Sequence, residues 1–71
     1  MIEGMMWQGG RPLDDEIPAA IAYAKDKYNK QAQRVDVADT AVKEETIIAG
    51  VKVRPSRLVL PGTLYVIWEG V

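Results

Sequence analysis

Apolar residues recur at helical spacing in one stretch of the chain, between residues 15 and 30. Counted at about 100° per residue, one narrow stripe contains Ile17, Ile21, Ala24 and Tyr28. Ala20 and Gln31 fall at its edge, and Asp26 lies directly opposite. The pattern predicts a helix with one apolar face, running from about residue 15 to about residue 30.

The ends of this predicted helix carry matching signals. The acidic run 14–16 provides an N-cap candidate and places negative charge at the positive end of the dipole. Pro18 is tolerated if it falls in the first turn. Lysines at 25, 27 and 30 gather near the other end, and Asn29 or the residues just after it are expected to end the helix.

Strand patterns surround this helix. Residues 1–7 could form a short strand that ends at Gly9-Gly10, and 34–38 alternate apolar and polar residues at period two. Residues 47–48 and 51–54 flank Ala49-Gly50 as a tight hairpin. Two further strands are predicted at 57–60 and 63–68.

The connections between these strands are also predicted. Residues 8–13 form a turn, and the polar segment 39–45 forms a loop with room for one helical turn capped by Asp39. Pro61-Gly62 fits the central positions of a type II turn before the last strand.

The last predicted strand is apolar on both faces. Leu64, Val66 and Trp68 point one way, whereas Tyr65 and Ile67 point the other. One helix cannot cover both sides of a sheet. Either the strand is central in a sheet that curls closed on itself, or one face packs against a second chain.

These elements predict an α+β fold with a single domain over residues 1–71. One amphipathic helix packs on a small, mainly antiparallel sheet of four to five short strands, in the chain order β-α-β followed by hairpins. The alternative is a small β-barrel capped by the helix. A chain of 71 residues buries only a thin core.

Composition removes much catalytic chemistry. The chain has no cysteine and no histidine, which excludes disulfides, sulfur-ligated zinc, and Ser-His or Cys-His catalytic pairs. Ser56, the single serine, is read as a turn residue. We expect no enzymatic activity and no cofactor.

Two groups of carboxylates could in principle bind Ca²⁺ or Mg²⁺: the run 14–16, and the residues Asp36, Asp39, Glu44 and Glu45. The glycine and spacing of an EF-hand are missing. Capping explains the first group and loop solvation the second, so no metal site is predicted. A carboxylate and divalent-metal enzyme is the least favoured function.

The start of the chain lacks the basic and long apolar regions of a signal peptide, and no stretch approaches the length of a membrane span. We therefore expect a cytoplasmic protein that does not engage a membrane.

Basic residues offer an alternative function. The net charge is −1, but Lys52, Arg54 and Arg57 lie on or beside the predicted hairpin and could contact nucleic-acid phosphates. A solvated charged face is the favoured interpretation. The glycines at 9 and 10 precede a helix, but the acids that follow would repel a phosphate, so they are read as turn formers.

The favoured function is a small non-enzymatic interaction module that self-associates or binds a protein partner. Its support is the second apolar face of the last strand. The candidate interface residues are Tyr65, Ile67, Trp68 and Trp7, because large aromatic side chains dominate interface energetics. Nucleic acid remains a possible partner, but is not favoured.

Overall fold

The computed structural model describes residues 2–69, which form one helix and five strands. In chain order these are β1 (Ile2–Gln8), α1 (Leu13–Tyr28), β2 (Arg34–Ala38), β3 (Thr46–Ile48), β4 (Val51–Ser56) and β5 (Thr63–Glu69). The helix packs on one face of a mixed, mostly antiparallel sheet, which confirms the predicted α+β class. Met1, the first residue of the predicted N-terminal strand, lies outside the described residues.

The five strands lie in the order β1-β5-β2-β4-β3. Three neighbouring pairs are antiparallel, whereas β2 and β4 are parallel. The edge strands β1 and β3 do not meet, so the sheet is open and the barrel alternative is wrong. The last strand in the chain is central, inserted between β1 and β2, as suits a strand that is apolar on both faces.

The helix begins at Leu13, two residues before the predicted start. No side chain caps it, so the expected acidic N-cap is wrong; instead the carbonyl of Pro12 accepts hydrogen bonds from the N–H groups of Asp15 and Glu16, at 2.9 and 3.0 Å. Pro18 is the sixth helical residue and so lies beyond the first turn. Its missing N–H leaves one carbonyl of the helix without its usual donor.

At its other end the helix ends at Tyr28, two residues before the predicted end, and Asn29, one of the residues predicted to stop it, is its C-cap. Asn29 has φ 54° and ψ 40°, the left-handed conformation that asparagine tolerates better than most residues. Its N–H donates to the carbonyl of Lys25 at 3.0 Å.

The predicted apolar stripe of the helix faces the sheet. Ile17, Ala20 and Ala24 are fully buried, and Ile21 is half-buried. Tyr28 is exposed along one side, although its ring centroid lies 5.4 Å from that of Trp68. The two alanines let the helix approach the sheet closely, where it meets the fully buried valines Val35, Val37, Val53 and Val66.

Two turns have the predicted chemistry. The β3–β4 hairpin turns at Ala49 and Gly50, with φ of 55° and 76°, as a type I′ turn requires. Gly62 has φ 81°, and the N–H of Thr63 donates to the carbonyl of Leu60 at 3.1 Å, closing the turn around Pro61-Gly62.

The strand predicted at 57–60 is wrong. These residues form turns that lead from β4 past the end of β2 to β5. Leu58 and Leu60 are exposed, whereas Val59 is buried. A run of aliphatic residues between two turn-forming pairs resembles a strand, but here the chain passes the end of β2 to reach β5, so these residues lie beside no strand with which they could pair. The 39–45 segment contains turns and no helical turn.

No helix within residues 2–69 has the length and apolar character needed to cross a bilayer.

Candidate interaction surface

The two faces of the sheet differ in what packs on them. The helix packs on the face that carries Leu64, Val66 and Trp68, which we call the helix-covered face. The other face, the open face, carries the alternate residues of each strand. No helix or strand among the described residues packs on it.

The open face has an apolar half formed by β1 and β5. Its centre consists of Gly4, Met6, Tyr65 and Ile67, and the polar pair Gln8 and Thr63 lies at one end. Met6 is 56% exposed and Tyr65 is 37% exposed. The two side chains lie opposite each other across the strands, and the Tyr65 hydroxyl donates to Met6 Sδ at 3.7 Å. This half is therefore continuous apolar surface with a weakly satisfied hydroxyl.

A groove of about 440 Å³ crosses this apolar half and reaches the 57–62 loop. Tyr65 and Ile67 line it from the sheet, and Leu58 and Val59 line it from the loop. It is shallow and opens to solvent, which suits the insertion of a partner's side chains better than the enclosure of a small molecule.

The charged half of the open face belongs to β2 and β4. It consists of Arg34, Asp36, Lys52 and Arg54. Arg34 Nε lies 3.2 Å from an oxygen of Asp36, and Lys52 Nζ lies 3.6 Å from an oxygen of Glu45. Both pairs are at least partly solvated, so each stabilises the fold only weakly. Three bases against one acid leave this half positive.

The structure places the predicted site residues on different surfaces. Tyr65 and Ile67 share the open face. Trp68 is only 4% exposed and lies under the helix, where its Nε1–H donates to Glu3 at 3.2 Å. Trp7 is half-buried on the same helix-covered side, with its ring 5.4 Å from that of Tyr23. The two tryptophans are thus placed as core residues.

The predicted basic residues are also divided. Lys52 and Arg54 lie on the open face, beside Arg34. Arg57 is exposed on the loop that follows β4. Sequence reasoning missed Gly4 and Met6, because only the pairing of β1 with β5 brings them next to Tyr65 and Ile67.

A second cavity, of about 340 Å³, lies where the helix begins. Glu16 and Arg11 line it together with the glycines at 9, 10 and 62. The Glu16 carboxylate is buried and accepts hydrogen bonds from Trp7 Nε1–H at 2.8 Å and from Arg11 Nε–H at 2.5 Å. The hydrogen bond from Arg11 makes the largest contribution to lowering the pKa of Glu16 below its ordinary value, and the hydrogen bond from Trp7 makes the second largest.

Position 9 must be a glycine because the Glu16 carboxylate occupies the space that a side chain would need. A Cβ at position 9 would collide with the Glu16 carboxylate. The glycine interpreted as a plain turn former therefore also makes space for the buried carboxylate of Glu16, which pairs with the exposed Arg11. Because both Glu16 oxygens are already bonded within the chain, the arrangement supports the junction between β1 and α1 and offers no free carboxylate for chemistry.

Within residues 2–69, no cluster of three or more carboxylate side chains is placed to hold a metal ion. Comparison of the chain with protein-family models, curated proteins and solved structures finds no match. The function is therefore argued from the geometry of the surfaces above.

Proposed function

We propose that this protein is a small, non-enzymatic interaction module that self-associates through the open face of its sheet. The observation that carries the proposal is the apolar half of that face, where Met6 and Tyr65 are exposed on adjacent strands and no helix or strand within residues 2–69 lies over them. Monomeric proteins rarely leave contiguous apolar surface of this kind uncovered.

The layout of the open face favours partial overlap of two copies. If the apolar halves stack, each charged half projects beyond the contact and stays in water. Interfaces commonly have this arrangement, with an apolar centre and a polar rim. It also avoids burying Arg34, Lys52 and Arg54 against the same bases of the other copy.

The test is sedimentation equilibrium over a wide concentration range with a pair of lysine variants. Tyr65→Lys places a charge in the apolar half, next to Asp36, with which it can pair across the strands. We expect its weight-average mass to fall relative to the wild type at equal concentration. Leu60→Lys, at an exposed loop residue that does not line the groove, is the control and should leave the mass unchanged.

A wild type that remains monomeric at millimolar concentration, or a Leu60→Lys effect equal to that of Tyr65→Lys, would contradict the proposal. Binding of a different protein to the open face, lost in Tyr65→Lys, would instead identify a hetero-partner. A parallel arm with single-stranded oligonucleotides at low salt covers nucleic acid, since Tyr65 shares its face with Lys52 and Arg54. A cytoplasmic location is part of the proposal, and cell fractionation tests it.

A further inference from the structure

The edge of the sheet formed by β1 lacks the features that keep strand edges from pairing. β1 is seven residues long, contains no proline, lysine or arginine, and has Glu3 as its single charge. The opposite edge, β3, is three residues long and lies beside the Lys52–Glu45 ion pair. Natural sheets protect their edges by short strands, charges or prolines. The β3 edge is protected in this way and the β1 edge is not.

One hydrogen bond at the end of β1 shows which of its backbone N–H and C=O groups point toward β5 and which point outward. The N–H of Gly9 donates to the carbonyl of Gly62 at 3.1 Å, one position beyond the Gln8–Thr63 pair of the β1–β5 ladder. In an antiparallel strand, the backbone N–H and C=O groups of successive residues point alternately toward the strand on one side and toward the other side. The backbone groups of Met5 and Trp7 therefore point into the sheet, and those of Gly4 and Met6 point outward.

We propose that β1 pairs with β1 of a second copy, antiparallel, about a twofold axis at Met5. This proposal goes beyond the open-face association by adding a second, separate contact between copies, whose edge and register it names. In this register Gly4 lies opposite Met6 of the second copy, and Met6 opposite its Gly4. Both are residues whose N–H and C=O groups point outward, so each pair exchanges two hydrogen bonds.

The side chains of β1 suit this register. The exposed Met6 side chain falls over Gly4 of the second copy, where there is no Cβ and where Ile67 is the neighbour on β5. Glu3 lies opposite Trp7 of the second copy, so the two Glu3 carboxylates do not face each other. Like charges directly opposite would destabilise the pairing.

The pairing also explains where the apolar surface lies. β1 and β5 carry the apolar half of the open face, and they are the two strands nearest this edge. Joining two copies at β1 merges the two apolar halves into one central surface and moves the charged halves to the two ends. Stacking of two such ten-stranded sheets would then use both contacts.

The test replaces one outward N–H with a methyl group. A chain of 71 residues can be made by chemical synthesis, and N-methylation of Met6 removes the donor while keeping the side chain. We combine it with Tyr65→Lys, which blocks stacking but leaves the edge intact. The Tyr65→Lys chain should remain a dimer, and adding N-methyl Met6 should raise the dimer dissociation constant about tenfold or more, because symmetry removes the bond twice.

The outcomes separate the two proposals. If Tyr65→Lys is already monomeric, the edge pairing is overturned while the open-face association stands. If N-methyl Met6 alone abolishes all association and Tyr65→Lys alone has no effect, the edge pairing stands and the open-face association is wrong.

Hydrogen exchange of the wild type gives a readout that needs no variant. The amides of Gly4 and Met6 should become slower to exchange as concentration rises, whereas that of Met5, which points into the sheet, should be protected throughout. Unchanged exchange at Gly4 and Met6 in a sample that sediments as an oligomer would overturn the edge pairing.

Discussion

The two faces of the sheet are made by alternate residues of the same strands, yet they differ in composition and in burial. The helix-covered face is mostly apolar, with Glu3 and Thr46 on its two edge strands, and it closes around Val35, Val53 and Val66, which are fully buried. The open face is divided into an apolar half and a charged half. The first pattern is that of a core, whereas the second is that of a surface with a hydrophobic centre and a polar rim. This division within the open face is the feature on which the proposed interaction surface rests.

The strongest test of this difference between the two faces is to truncate two aromatic residues on opposite faces of β5 and compare the losses of stability. Trp68→Ala, under the helix, should lower the free energy of unfolding by about 3–5 kcal/mol. Tyr65→Ala, on the open face, should lower it by about 1 kcal/mol or less. Urea unfolding at a concentration where the chain is monomeric measures both. Equal losses would mean that the open face is part of the core.

Because a chain this small could unfold on losing Trp68, Val66→Ala provides a milder probe of the same face. It removes two buried carbons and should cost about 2 kcal/mol including the cavity. It too should exceed the effect of Tyr65→Ala.

A smaller effect is expected at the buried carboxylate that anchors β1 to the helix. Hydrogen bonds from Arg11 and Trp7 lower the pKa of Glu16 in the folded state. Its contribution to stability is therefore complete above the unfolded pKa of about 4.3, and is lost as the pH falls through the lower folded pKa. Glu16→Gln should have a flatter loss of stability in this acid range than the wild type.

Asp14→Asn is the matched control for this pH series, because it removes an exposed carboxylate from the same helical turn. Urea unfolding at pH 6 and at successive steps below pH 4.3 measures the difference. If the free energy of unfolding of Glu16→Gln fell with pH as steeply as that of the wild type, the Glu16 network would not support the helix-covered face.

The smallest effect is expected at a turn that belongs to neither face. Ala49 has φ 55°, a conformation that favours glycine or asparagine. Ala49→Asn should stabilise the fold by about 0.5–1 kcal/mol, seen as a higher urea midpoint. Ala22→Asn, an exposed helical position, should have the opposite sign. A destabilised Ala49→Asn chain would mean that the hairpin turn is not type I′.

Much of the fold could be predicted from local patterns, because the signals for helices, turns and strand alternation each depend on a few residues that are close together in the sequence. The β2 strand, the Asn29 stop and the Pro61-Gly62 turn are examples. Strand order could not be predicted, because alternation determines which way a side chain points and not which strand lies beside it. The crossing at 57–60 was misread for the same reason.

The prediction of the candidate site was limited in the same way, because local patterns do not show which strands lie side by side. The opposite orientation of Tyr65 and Trp68 was predicted from alternation, but grouping the tryptophans with the interface overlooked that Trp68 shares a side with Leu64 and Val66. The contribution of Met6 depended on the pairing of β1 with β5, which joins residues far apart in the chain. Gly9 carried no signal of its close approach to Glu16, since that contact exists only after β1 and the helix have packed.

The central position of β5 has a consequence for how the molecule is made. β1 and β2 leave the ribosome before β5 but have no direct pairing with each other, because β5 lies between them. The sheet cannot be completed until that strand emerges. Folding of this sheet should therefore wait for β5, and it should be all-or-none and slow for a sheet of this size, since the β1–β5 pairing closes a long loop. Until then, the exposed β1 edge is open to pairing with other nascent chains.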